Sequence, residues 1–327
     1  WILYAPYIDK SLIRNSLTYS LARQMNIYSS RIKHCELLID DEYQGVYVLM
    51  EKIKKDQNRV NIATLNPEEI FSDDVTGGYI LKMDKFTDSS ENDSTYWQSQ
   101  YLDDQGLNYI KFQYHYPKYQ NLANEQKTYI HNFMSDFETT LFSNNYVDQV
   151  NGYQNFINVK SFIDFILLNE FSKNGDAYKF STYFHKDKES NGGKIKMGPF
   201  WDFDRAYGNY WPTDLYNTDG WRYNNSGSGP FWFKKLLADS VFENKLNCRW
   251  QELKLNVLNP ENTSAIIDSL VNNLGDSRKR NYIRWSNINE TNGVSFYQFN
   301  SYHQEVDFLK FWIENRFDWL DSTLSNN

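Results

Sequence analysis

Apolar positions repeat at helical spacing over 9–25, where Leu12, Ile13, Leu17, Leu21 and Met25 share a side and Asp9 offers an N-cap. Over 34–53 the period shortens to two. HCELLID, a turn through Asp40, Asp41 and Glu42, and then YQGVYVLMEKI predict a β-hairpin. On its second strand Tyr47, Leu49, Glu51 and Ile53 face one way, and Val48, Met50 and Lys52 the other. GGYILKMDK at 77–85 predicts a third strand, entered through a bend at Gly77 and Gly78. The Ser-, Asp- and Gln-rich stretch 86–106 predicts a long surface loop. LNYIKFQYHYP at 107–117 predicts another strand, ended by Pro117, and 121–142 a helix with Ile130, Phe133, Phe137 and Leu141 on one side.

The second half reads differently. VKSFIDFILLNEFS at 159–172 is a strongly apolar helix that stops at KNGD, with Gly175 as terminator. AYKFSTYFHKD, the turn SNGG at 190–193 and KIKMGPFWDFD predict a short hairpin. Residues 205–230 are rich in Gly, Asn, Asp and aromatics without a period, and helical stretches near 231–255, 262–274 and 303–324 close the chain. The order predicts an α+β fold with a β-rich N-terminal half, 1–150, and a mostly helical C-terminal half, 151–327. A cleft where such halves meet is a common ligand site.

Composition narrows the function. With 327 residues, 40% hydrophobic and 23% charged, the chain buries a full core. A net charge of −8 argues against nucleic acid as a partner, because phosphate binding needs a positive footprint. No apolar run approaches the roughly 20 residues of a membrane span. Cys35 and Cys248 form no CxxC pair, which leaves either one disulfide or two inert thiols. Trp1 is not an initiator Met, and WILYAPYIDKSLIRN reads as the middle of a domain, so the expectation is a preceding segment.

The five histidines make no HExxH or ligand-spaced pair, and there is no GxSxG elbow, P-loop or GxGxxG. The sharpest local feature is a loop, a hairpin and a loop. Asp176 follows the buried helix, and the hairpin leads to Trp201, Asp202, Phe203 and Asp204. So short a hairpin brings its ends together, and the expectation is that Asp176, Asp202 and Asp204 gather around one hard cation such as Mg²⁺. A phosphotransferase needs this arrangement: one Asp to accept the acceptor's proton and a second to hold metal against the nucleotide phosphates. A Lys–Glu pair should grip the phosphate tail, and Glu51 with Lys82 are the candidates. Trp201, Trp211, Trp221 and Trp232, with Tyr207, Tyr210, Tyr216 and Tyr223, form an aromatic band suited to stacking on sugar or adenine, or to core packing.

These residues sit in motifs that resemble the CotH kinase family, named after spore coat protein H. The motifs are DKSLIRN at 9–15, EYQGVYVLMEKI at 42–53, RVNI at 59–62, GGYILKMD at 77–84, KNGDAYKFSTYFHKDK at 173–188, GGKIKMGPFWDFDRAYGN at 192–209 and FLKFWIENRFDWLD at 308–321. The resemblance implies an atypical protein-kinase-like fold forming one domain, ATP and Mg²⁺ as cofactors, and a protein substrate phosphorylated on a hydroxyl, serine by expectation. It implies Asp176 in catalysis, Asp202 as metal ligand with Asp204 assisting, and Glu51 with Lys82 on the phosphates. Lys82 is preferred to Lys52, which alternation turns away from Glu51. Arg14 and Arg59 are candidate phosphate contacts or structural ion pairs, and Trp201 a candidate adenine platform. It also implies an exported, bacterial protein. One departure is Ser181, at the position where kinases carry an Asn for a second metal ion. Two rivals remain: a non-catalytic coat module binding glycan or protein through its aromatic band, and a glycoside hydrolase with paired carboxylates.

Overall fold

The computed structural model describes residues 1–86, 95–211, 213–225, 227, 229–290 and 295–325. Among them the strands are β1 (Ile2–Tyr4), β2 (Ile32–Ile39), β3 (Glu42–Met50), β4 (Tyr79–Met83), β5 (Tyr96–Leu102), β6 (Tyr109–Tyr116), β7 (Thr182–Lys186) and β8 (Ile195–Met197). The helices are α1 (Arg14–Gln24), α2 (Asn124–Phe142), α3 (Val159–Ser172), α4 (Trp232–Leu237), α5 (Ser240–Asn256), α6 (Pro260–Leu274), α7 (Ser277–Arg284) and α8 (Tyr302–Leu324). Strands dominate the first half and helices the second, as the patterning predicts.

The strands form two sheets, β1-β3-β2 and β5-β6-β4-β7-β8. The β2–β3 hairpin turns through Asp40 and Asp41, both at positive φ, which is the backbone a two-residue hairpin turn requires. The larger sheet crosses the midpoint of the chain. β4 runs antiparallel to β7 through five register pairs, from Tyr79 opposite Lys186 to Met83 opposite Thr182. Gly77 permits this approach, since a Cβ there would lie 1.9 Å from the Lys188 nitrogen.

Several expectations change. Asp9 does not cap α1 directly. Its carboxylate accepts the Ser11 and Arg14 N–H groups across a tight turn, and the helix starts at Arg14. The stretch 86–106 contains β5, which pairs with β6 through Tyr96–Gln98 and Leu102, and the polar QSQ at the register break between them hides the strand period; residues 87–94 of that expected loop lie outside the described residues. The first strand of the second hairpin is only Thr182–Lys186. The 231–255 stretch breaks into α4 and α5, and α7 was not anticipated, because SRKRNYIR buries only Asn281. Helix α3 ends on Lys173 in the left-handed conformation, with Gly175 two residues beyond. Lys173 replaces glycine there because its ammonium donates to the carbonyls of Asp214, Asn217 and Asp219.

One main apolar core runs from α1 through the sheets to α8, and polar hubs are embedded in it. Glu170 on α3 is fully buried. Its carboxylate accepts from the Tyr178 hydroxyl at 2.7 Å, from the Arg222 and Tyr223 N–H groups, and from Arg316 on α8. Arg14 is equally buried between Asp9 and Glu305 on α8. Cys35 and Cys248 are both free thiols, which removes the disulfide alternative. Among the described residues no helix is long and apolar enough to cross a membrane.

Candidate functional site

The loop after α3 is fixed from both sides. Arg222, held at Glu170, donates to the carbonyls of Asn174 and Gly175 at 3.1 and 2.8 Å. The Gly175 N–H bonds the Arg205 carbonyl, and its Cα lies against the Tyr210 ring so closely that a Cβ would stand 2.0 Å from it. Asp176 follows with a side chain that is 12% exposed, and the Lys85 ammonium stands 3.6 Å from its Oδ2.

The β7–β8 hairpin returns the chain to this loop. At its near end Ser181 has φ +50°, and at its far end Asp202 has φ +63°. Both are non-glycine residues in the left-handed region, an unfavourable backbone that surrounding contacts must hold. The two ends touch: Ser181 Oγ donates to Asp202 Oδ2 at 3.4 Å. Asn174 donates to the Asp202 carbonyl at 3.3 Å, and the Asp202 N–H donates to the Tyr19 hydroxyl on α1 at 3.2 Å. One residue on, the Phe203 N–H bonds Asn15 of α1 at 2.6 Å. Asp204 accepts the Tyr4 hydroxyl of β1 at 3.0 Å, and its carbonyl takes Asn209.

Desolvation, then the neighbouring Asp204 carboxylate, then Asp176, push the Asp202 carboxyl up to about 8. Burial likewise raises Asp204, while the Tyr4 hydroxyl works in the other direction. Carboxylates that raise one another in this way form a site that favours a cation. Among the described residues no group of three or more His, Cys, Asp and Glu is arranged to hold a metal ion, so three aspartates around one ion is not the arrangement found. The donor set suits Mg²⁺ on other grounds. That ion takes one or two carboxylates and completes its shell with water and substrate phosphates. The neighbouring carboxyls of Asp202 and Asp204 match that requirement, with Asp176 and Asp84 bearing on Asp202 electrostatically.

The expected Glu51–Lys82 pair does not form. Glu51 sits one residue beyond β3 on the smaller sheet, where it is bound by Arg31 and, at 3.2 Å, by Arg59. Lys82 lies centrally on the larger sheet and pairs with Asp84 at 2.9 Å. Alternation sets the face a side chain takes but not which sheet it joins. Arg14 is engaged with Asp9, Glu305 and the Ala206 carbonyl, so its role is structural. Arg59 has joined Glu51, so Glu51, Arg14 and Arg59 of the expected phosphate contacts are all taken up by ion pairs within the protein. Trp201 is half-buried, stacked on Tyr19 at 6.4 Å and edge-on to Tyr183 at 6.3 Å. The aromatic band divides: Trp232 and Tyr207 are in the core, whereas Trp211 and Tyr216 pack on Phe296.

Sequence reasoning missed Asp84, Lys85 and Tyr4. Asp84 closes the motif GGYILKMD and had a signal in that position; Tyr4, 200 residues from Asp204, had none.

Comparison with known proteins gives two findings. No curated protein matches the chain. The family model described as CotH kinase protein matches residues 1–320 of the 327, and on that coverage the chain belongs to the CotH kinase family.

Proposed function

We propose that this protein transfers the γ-phosphoryl group of ATP to a hydroxyl of a protein substrate, serine in the first instance, with Mg²⁺. The observation that carries the reading is the meeting of Ser181 and Asp202 across the hairpin, with Asp176 and Asp204 acting on the Asp202 carboxyl. Mg²⁺, when bound, supplies positive charge that neutralises the phosphate oxygens in the transition state. Asp202 and Asp204 are the residues that would hold it. Asp176 accepts the proton of the attacking hydroxyl as its oxygen bonds to the γ-phosphorus. The bond to the β–γ bridging oxygen then breaks and ADP leaves with the electron pair. Lys82 and Lys85, at the end of β4, supply charge for the phosphate tail, and the half-buried Trp201 is the candidate stacking partner for adenine. Export follows the family resemblance and not any feature of the described residues. The aromatic band behind the alternative of a glycan- or protein-binding module is split between the core and separate surface clusters.

Asp202→Ala is expected to abolish both the Mg·ATP-dependent rise in melting temperature and phosphoryl transfer, read by calorimetry and by ³²P incorporation. Asp176→Ala is expected to keep the thermal shift while losing transfer by at least about a hundredfold, the range of general base catalysis. Unchanged turnover in Asp202→Ala removes the metal role. Loss of nucleotide binding in Asp176→Ala makes that residue a ligand and not a base.

A further inference from the structure

We infer that Asp84 is a positioning residue that locks the left-handed backbone of Ser181 and thereby sets the orientation of Asp202; the inference rests on the phosphotransferase reading for its catalytic consequence. Ser181 has φ +50° without being glycine or asparagine, so an outside contact must hold it there. Its N–H donates to Asp84 Oδ1 at 3.3 Å, and its hydroxyl reaches Asp202 Oδ2. A single residue therefore joins β4 to the carboxyl proposed to carry the metal.

Asp84 is suited to this task because both its carboxylate oxygens and its carbonyl are held. Oδ1 also accepts the Lys85 N–H at 2.9 Å, and Oδ2 accepts the Lys82 ammonium at 2.9 Å. Its carbonyl takes the amide of Gln113 on β6 at 2.6 Å, and Gln113 is buried. Its strand is hydrogen-bonded to β6 on one side and to β7 on the other. Asp202, the other left-handed residue, is pinned independently by Tyr19 and Asn174. Two strained residues thus meet at the mouth of one hairpin, one held by the sheet through Asp84 and the other by α1 and the loop after α3.

The test compares Asp84→Ala, Asp84→Asn and Asp84→Ala combined with Ser181→Gly. A positioning role predicts that Asp84→Ala lowers kcat for phosphoryl transfer at least tenfold. Asp84→Asn, which keeps an acceptor for the Ser181 N–H but loses the charge beside Lys82, should retain clearly more kcat than Asp84→Ala. Ser181→Gly adopts this backbone without help but deletes the hydroxyl that reaches Asp202, so the double variant should stay as low in kcat as Asp84→Ala. Hydrogen exchange of the ligand-free protein gives a readout independent of activity. The Asp202 and Phe203 amides should exchange faster in Asp84→Ala and near the wild-type rate in Asp84→Asn. Unchanged exchange in Asp84→Ala, an Asp84→Asn variant as inactive as Asp84→Ala, or full recovery of kcat in the double variant without the Ser181 hydroxyl overturns the inference. If the exchange pattern holds while the wild-type protein neither binds Mg·ATP nor transfers phosphate, the positioning role stands and the phosphotransferase reading falls.

Discussion

Asp202 enters the folded state with a carboxyl raised to about 8, against an ordinary 3.8. A raised acid is stabilising while protonated, so its contribution is complete below about pH 4 and is lost as pH climbs through 8. The metal-free protein should therefore melt at a lower temperature at pH 8 than at pH 5.5, and Asp202→Asn should flatten that slope. Added Mg²⁺ should reverse it, since a cation binds the ionised pair and gains affinity as protons leave. Calorimetric scans in chelator and in Mg²⁺ across this range read both effects, and a slope unaltered by Asp202→Asn would assign the titration elsewhere. Much of this site was legible in the sequence. Asp176, Asp202 and Asp204 lie at hairpin ends, where chain connectivity itself forces proximity. Their partners Tyr4, Tyr19 and Asn15 come from elements far away in sequence, and no local spacing announces a contact of that kind.

Helix α2 and strand β5 meet through a buried acid. Glu138 accepts the Ser99 hydroxyl at 2.7 Å and the Trp232 indole N–H of α4 at 2.9 Å, and burial pushes its carboxyl up to about 7. The sign is again that of a raised acid: stability is present below about pH 4.5 and lost as pH rises through 7. Glu138→Gln keeps an acceptor for the indole and cannot ionise. It should raise stability at pH 8 by a few kcal/mol, on the order of the linkage expected from the shift, while changing little at pH 5; urea titrations at the two pH values check this. At this scale legibility followed the strength of the period. α3 was read to its boundaries because its residues are apolar almost all round, and the β2–β3 hairpin because alternation and turn agree. β5 and α7 give weak signals for the opposite reason: QSQ interrupts the alternation of the first, the second is mostly polar, and each finds its place through pairing and tertiary contact.

Over the whole molecule, buried charges tie the termini to the site. Arg14 at the start of α1 reaches Glu305 on α8 at 2.8 Å, and Arg316 of the same helix grips Glu170 behind the loop that carries Asp176. Removing one partner leaves a desolvated charge, so Glu305→Ala should cost roughly 3 kcal/mol, the lower end for a broken buried pair because Asp9 still faces Arg14. Replacing both partners, Arg14→Met with Glu305→Leu, should cost less than the single change in the same urea titration. The architecture could not be read in full at this scale, because a mostly β half followed by a mostly helical half suggested two lobes. Instead β4 and β7, from opposite sides of residue 150, share a ladder. To swing the halves apart would tear five rungs in the middle of a sheet. Asp84, just past the end of one of these strands, and Ser181, just before the other, therefore travel as one block with the hairpin that leads on to Asp202.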